Sequence, residues 1–396
     1  MKILRGAEVF FEGELQRLDV AFDEEGIHQI GPELELEGEP IDCEGLIVLP
    51  GMIDVHVHFR DLKEAYKEDW QSGGEAAVKG GVTTVIDMPN NDPPAVIREA
   101  LREKRRLAER SPVDFYFYGG IAAESLEKIS ELAREPRVAG FKLYMGETTG
   151  GLTVARRSLQ KEAFQRVAET GKVLAVHVQR LRSPEAIDVE MALTLAVNTG
   201  VKLHLCHLRT REGVELAYEA KCEGVDVTLE TCPHYLIFTE EDAKERGTLL
   251  KVNPPLASGE DREFLWEALS EGMIDILASD HAPHTLEEKA RPYDKAPFGF
   301  PGVETSLPLM LDAVNRNKLT LERLVEVFAK NPAERFGLER RGEIAEGNRA
   351  DLVVIDLEKR ARIEREDLKT KCGWSPYEGF ELKGWPVMTF VGGRQV

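Results

Sequence analysis

No apolar run in the 396-residue sequence approaches the ~18 residues that a membrane-spanning helix requires, and the opening stretch "MKILRGAE" lacks the apolar centre of a secretory leader. Cysteine is scarce. Cys43, Cys206, Cys222, Cys232 and Cys372 are odd in number and follow no framework spacing, so we expect reduced thiols and a cytoplasmic protein. Positive charge is in deficit: 51 Lys and Arg stand against 71 Asp and Glu, a formal net charge of -20. Nucleic acid and anionic membrane surfaces would be repelled, so neither is expected as a partner. Charge as such is plentiful, at 31% of residues. That exceeds the roughly 25% of an average soluble protein and points towards a thermophilic source.

The two ends of the chain share one style. "KILRGAEVF", "LQRLDVAFD" and "GLIVLPG" within residues 1–50 read as short strands, and "ADLVVIDLE" and "WPVMTFVGGRQV" within 340–396 return to the same pattern. Their matching character predicts one small, sandwich-like β-domain built from both ends. Between them, over 51–339, short apolar runs alternate with amphipathic stretches, the mark of repeated βα units. Eight runs are recognised: "MIDVHVH", "TTVIDMP", "DFYFYGG", "AGFKLYM", "KVLAVHV", "VKLHLCHL", "VDVTLET" and "DILASDH". Helices are expected at "REALREKRRLAERS", "LQKEAFQRVAETG", "PEAIDVEMALTLAVNTG" and "EDREFLWEALSEG", the third packed hard against the barrel because it is mostly apolar. The fold class is therefore α/β: a (β/α)8 TIM-like barrel with a small β-domain.

Metal-capable side chains gather where those runs end, at the face on which such barrels build their sites. His56 and His58 close the first run, and residues two apart on a strand share a face, so Arg60 joins them if the chain stays extended. The pair is either a metal site or two hydrogen-bonded histidines at a barrel mouth. His177 and His207 close the fifth and sixth runs, and Asp280, followed by His281, closes the eighth. Lys142 closes the fourth. It is either a salt-bridged rim lysine or a neutral amine that adds carbon dioxide to form a carbamate, an anionic ligand able to bridge two cations. The four histidines and the aspartate around it favour the carbamate. By strand alternation Cys206 falls on the face opposite His207, and His204, with the parity of Cys206, is expected to face the outer helices. His234 and His28 carry no assignment beyond packing, and Trp374 and Trp385 read as β-domain packing.

At the level of motifs the chain resembles the dihydroorotases of the amidohydrolase superfamily. "DVHVHFRD" at 54–61, "MPNNDPP" at 88–94, "GFKLY" at 140–144, "NPPL" at 253–256, "SDHAPHTLEEK" at 279–289, "GFPGVETSLPL" at 299–309 and "NPAERFGL" at 331–338 carry the resemblance in order over nearly the whole chain. It implies reversible closure of N-carbamoyl-L-aspartate to L-dihydroorotate in pyrimidine synthesis. It implies His56, His58 and Asp280 on one zinc ion, and His177 and His207 on a second. Carbamylated Lys142 and a hydroxide would bridge the two, and Asp280 would shuttle the proton. Arg60, Asn90 and His284 match residues that hold the substrate's carboxylate and ring, Asn253, Phe298 and Gly299 match further substrate contacts, and Thr148 falls in a loop like the family's mobile active-site loop. Cys206 and Glu230 match the positions of a third zinc in some relatives. The implied partners are a small anionic substrate, a second copy in a homodimer and aspartate transcarbamoylase.

Two departures stand out: Gln179 where the family usually has Glu, and Ala257 where a basic residue is common. The competing reading is an allantoinase or hydantoinase-type enzyme, which would share the barrel, the His pair and the lysine. Arg60 and His284 argue against it, because a neutral ring needs no cationic grip. A catalytically dead scaffold is the third reading, and retention of all six metal-capable residues argues against that.

Overall fold

The structure is a computed structural model that describes residues 1–146, 151–180 and 183–396. The N-terminal strands β1 (Lys2–Phe11), β2 (Glu14–Asp23), β3 (Gly26–Gly31), β4 (Glu39–Asp42) and β5 (Ile47–Pro50) come first. Glu12 and Gly13, both with positive φ, join β1 to β2 with the twist a two-residue hairpin favours. Eight parallel strands follow: β6 (Met52–Val57), β7 (Val82–Asp87), β8 (Asp114–Gly120), β9 (Val138–Tyr144), β10 (Val173–His177), β11 (Lys202–Leu205), β12 (Val227–Thr231) and β13 (Ile276–Leu277). The chain ends with β14 (Leu352–Arg362), β15 (Glu381–Val391) and β16 (Arg394–Gln395).

The two ends do meet. β5 pairs antiparallel with β14, Ile47 opposite Ile355 and Pro50 opposite Leu352, so one mixed eight-stranded sheet contains strands from both termini. Its own core includes Val9, Val20, Phe22, Val48, Leu352, Val354 and Phe390.

Strands β6 to β13 form the barrel in sequence order, closed by a bridge between Val57 and His281 and by the His58 N–H donating to the His281 carbonyl at 2.8 Å. Ile53, Val55, Ile86, Tyr118, Ala175, Cys206, Ile276 and Ala278 make an interior cluster. "NPAERFGL" supplies the plug of that cluster: Ala333, Phe336 and Leu338 belong to it, and the Phe336 ring meets Tyr118 and His204 edge-on. Four expected helices form as Arg98–Ala108, Arg157–Ala168, Glu185–Thr199 and Gly259–Ser270. The apolar helix Glu185–Thr199 buries Val189, Ala192, Leu193 and Ala196, while Ile187 and Val197 stay exposed. Among the described residues no helix is long and apolar enough to cross a membrane.

Strands β11 and β13 stop well short of the ends of their apolar runs, and the difference matters. β11 stops at Leu205 and β13 at Leu277, so His207 and Asp280 lie beyond regular strand, with φ of 42° and 46°. Arg60, at φ 48°, also breaks the extended geometry that would have aligned it with His56 and His58. Alternation therefore fails here as a guide to side-chain direction. Cys206 lies in the barrel interior beside Lys142, not on the opposite face, and His204 turns inward to Glu230 instead of outward to the helices.

Trp374 is a further correction. It sits between β14 and β15 in a segment that returns across the barrel, is fully buried, and donates from Nε1 to the His284 carbonyl at 2.7 Å. Trp385 does lie in the terminal sheet, on β15.

Candidate active site

The C-terminal barrel mouth opens into a small cavity, with about 40 Å³ of room for water, lined by histidine, carboxylate and amide groups. His56 Nε2 and His58 Nε2 stand 3.2 and 3.3 Å from the same oxygen, Asp280 Oδ1. On the other side His177 Nδ1 faces His207 Nε2 at 3.1 Å. The remaining ring nitrogens, His177 Nε2 and His207 Nδ1, are buried with no hydrogen-bond partner among the described residues. Buried polar nitrogens are rarely left so.

The other nitrogens of the first pair are engaged. His56 Nδ1 meets Glu230 Oε1 at 2.9 Å, and His58 Nδ1 meets Asn90 Oδ1 at 2.7 Å. With Asn90 claiming its Nδ1 proton, His58 turns its Nε2 lone pair towards Asp280, whereas His56, with a carboxylate oxygen at each ring nitrogen, keeps a proton on Nε2 that a bound metal would have to displace. A register shift between Asp54 and Val57 on β6 lets Val55 join the interior core while His56 reaches Glu230.

Electrostatics favour metal binding. Burial and the neighbouring Arg60 push His58 down to about 3, and burial with Lys142 nearby does the same to His177. Burial and the adjacent His177 hold His207 well below the usual histidine range. Burial would also lower His56, but Glu230 and Asp280 outweigh it and hold that ring up to about 10. Burial acts to raise Asp280, and His56 and His58 overcome it, keeping the carboxyl well below the usual carboxylate range. Three imidazoles are thus held neutral around an ionised carboxylate, the protonation states that divalent metal binding requires. His56, His58 and Asp280 bring donor atoms within 4.8 Å of one another, as do His56, Cys206 and Glu230. The residues fit a divalent cation.

Lys142 is fully buried beneath the cavity, not on its rim. Its Nζ contacts Cys206 Sγ at 2.9 Å and lies 5.2 Å from the Tyr144 ring centre. Among the described residues no carboxylate pairs with it. That burial departs from the rim position that the salt-bridge reading assumed.

Arg60, Asn90, Asn253, Phe298 and Gly299 line the same cavity as the histidines, with Tyr144, Val252 and Ala282, which sequence reasoning missed. Val252 and Ala282 carry no chemical signature, whereas the Tyr144 phenol, two residues after Lys142 in "GFKLY", was the signal that could have found it. Gly299 is required by geometry. Its φ is 112°, and a β-carbon there would stand 2.6 Å from that of Ala282. His284 is brought close but stands behind Arg60, its Nε2 3.1 Å from Arg60 Nη2 and 3.0 Å from the Phe298 carbonyl. Thr148 lies outside the described residues.

The other sequence candidates fall elsewhere. Gln179 donates to the Arg180 and Ser183 carbonyls and so braces a neighbouring loop. His234 is buried against Tyr235 and Phe300 without lining the cavity, and His28 pairs with Asp23 on the terminal sheet. His281 accepts the Gly302 and Val303 N–H groups at Nδ1 and serves the barrel closure.

Comparison with known proteins agrees with this geometry. The profile of the Amidohydrolase family matches residues 47–396. A dihydroorotase of Halobacterium salinarum is 38% identical over 100% of this chain and 96% of its own length. A dihydroorotase of Pyrococcus abyssi is 39% identical, over 91% of this chain and 87% of its own. Among solved structures, the L-hydantoinase (dihydropyrimidinase) of Arthrobacter aurescens superposes with a TM-score of 0.96 at 32% identity, covering 100% of this chain and 95% of that one.

Proposed function

The chain belongs to the amidohydrolase family, among its dihydroorotases, and from that premise we propose that it closes N-carbamoyl-L-aspartate to L-dihydroorotate, and reverses that reaction, in pyrimidine synthesis. The observation that carries the substrate is Arg60, a buried guanidinium lining the metal-capable cavity. A planar fork held there suits a ring carboxylate, and a hydantoin offers none.

His56, His58 and Asp280 would hold one zinc ion, and His177 and His207 a second, with carbamylated Lys142 shared between them. Two observations support the carbamate: the amine is buried, and no carboxylate among the described residues neutralises it. Bound divalent metal supplies an activated water and polarises the amide carbonyl. The chain's own groups do the rest. Asp280, aligned by His56 and His58, takes the proton from the attacking water and returns it to the leaving ring nitrogen during opening; closure runs the transfer backward. Arg60 and Asn90 fix the carboxylate end, and Asn253 with the Phe298–Gly299 backbone flanks the ring.

Glu230 and Cys206 could take a third ion with His56. We favour a supporting role, because both Glu230 oxygens already serve protein groups: His56 Nδ1 and the His207 N–H at Oε1, and His204 Nε2 at Oε2.

The test is turnover of L-dihydroorotate by zinc-supplied protein, with hydantoin, dihydrouracil and allantoin in parallel. We expect dihydroorotate alone to react. Turnover of a neutral ring instead would assign the chain to the hydantoinase-type activity of its structural neighbour.

A further inference from the structure

Lys104 is a buried lysine that the reaction scheme above does not use. It projects from the helix Arg98–Ala108 to the chain that follows β7. Its Nζ stands 2.5 Å from Asp87 Oδ2 and 2.7 Å from Asn91 Oδ1, and it also donates to the Met88 carbonyl. An ammonium has three donors and no acceptor, and here it meets three acceptors.

Two of those partners reach on to the segment that carries Arg60. Asp87 Oδ1 accepts the Phe59 N–H at 2.7 Å, and Asn91 Nδ2 donates to the Arg60 carbonyl. The Asn91 amide can stand only one way round, because its oxygen faces an ammonium and its nitrogen faces a carbonyl.

The backbone gripped in this way is one that an L-residue resists. Arg60, Asp61 and Leu62 follow one another at φ of 48°, 53° and 51°, a left-handed run that contains no glycine. Such a conformation persists only where its surroundings hold it. Asp61 is held from the other side: Arg110 meets its Oδ2 at 2.7 Å, and its N–H donates to the Glu68 carbonyl at 3.0 Å. At Arg60 the backbone hold comes from the partners of Lys104, Asp87 before it and Asn91 on its carbonyl. The side chain then runs on to donate from Nε to the Pro283 carbonyl at 3.2 Å.

We propose that Lys104 is a positioning residue: through Asp87 and Asn91 it holds the left-handed turn at Arg60–Leu62 and so sets the direction in which the Arg60 guanidinium enters the cavity. Its effect on substrate rests on the reading that Arg60 holds the substrate's carboxylate; its hold on the turn does not.

The experiment uses the zinc-loaded full chain as K104M, N91A and the double variant. N91A leaves the Lys104–Asp87 pair intact, so it decides the matter even if K104M fails to fold. Each single variant should raise KM for L-dihydroorotate about tenfold, with kcat and zinc content within roughly twofold of wild type. The double variant should be no worse than K104M, because Asn91 and Lys104 act along one path. Hydrogen exchange without substrate should quicken about tenfold in the peptide over 59–62, while peptides from β9 and β10 keep their wild-type rates. An unchanged KM in N91A would overturn the proposal, as would single effects that multiply to about a hundredfold in the double variant. Exchange quickened across the whole barrel with KM unchanged would reduce Lys104 to a packing role and overturn it too. Wild-type protein inert towards dihydroorotate would sink the substrate reading and leave the exchange rates to decide the hold on the turn.

Discussion

Glu230 Oε1 lies 2.9 Å from His56 Nδ1, both side chains buried inside the barrel. The contact holds a proton on His56 Nδ1 and turns Nε2 towards Asp280, so that Nε2 is the nitrogen a metal would take in place of its proton. Carboxylate partners of this kind tune metal affinity without touching the metal. Glu230→Gln should therefore weaken zinc binding about 10- to 100-fold with an unchanged number of sites. Chelator-competition titration distinguishes this from a third site, which would disappear as one whole equivalent.

Asp280 combines a metal-facing oxygen with the proposed proton transfer. Asp280→Asn keeps the shape and removes the base, so kcat should fall by a factor on the order of 100 or more. Measured at saturating zinc, with metal content determined on the same sample, near-normal turnover would dismiss the proton-shuttle role.

Lys142 should take up carbon dioxide. Metal-depleted protein reconstituted with zinc and carbon-13 bicarbonate should show a carbamate carbonyl resonance, absent from Lys142→Met. That variant should also lose most activity and bind zinc more weakly, because a shared anionic ligand is gone.

Gly299→Ala tests the backbone that flanks the ring. The new methyl would meet Ala282 at 2.6 Å from a left-handed backbone, so the loop must move. KM should rise about tenfold or more with zinc content unchanged, since no metal-facing group is touched.

Acid should weaken the metal-depleted protein. His58, His177 and His284 are held near 3 and His234 near 4, in each case chiefly by burial. The unfolded chain takes up these protons near pH 6.5, so between about 6.5 and 4 it binds more protons than the folded one. Folding stability should fall as pH drops through that window, by about 2 kcal/mol per histidine at pH 5. Urea melts at pH 7.5, 6 and 5 would read the trend; a midpoint that does not move would contradict it.

Much of the site was legible in one dimension because the barrel obeys a simple rule. A parallel βα repeat puts every strand end on one face, so the sequence alone gathers His56, His58, Lys142, His177, His207 and Asp280. Motif resemblance added Arg60, Asn90, Asn253, Phe298 and Gly299, all of which line the cavity. Side-chain direction at the strand ends was not legible. Alternation is a property of extended backbone, and Arg60, His207 and Asp280 leave it with positive φ. That is why alternation alone places Cys206 and His204 on the wrong face.

The sequence by itself determined the repeat, the pairing of the two chain ends and the chemical inventory of the mouth, since periodicity and residue type are local. Only the tertiary structure decided which nitrogen each histidine presents. Glu230 on His56 and Asn90 on His58 come from residues 174 and 32 positions away. A tautomer is set by whichever donor or acceptor the fold brings within about 3 Å, and no local pattern encodes that contact.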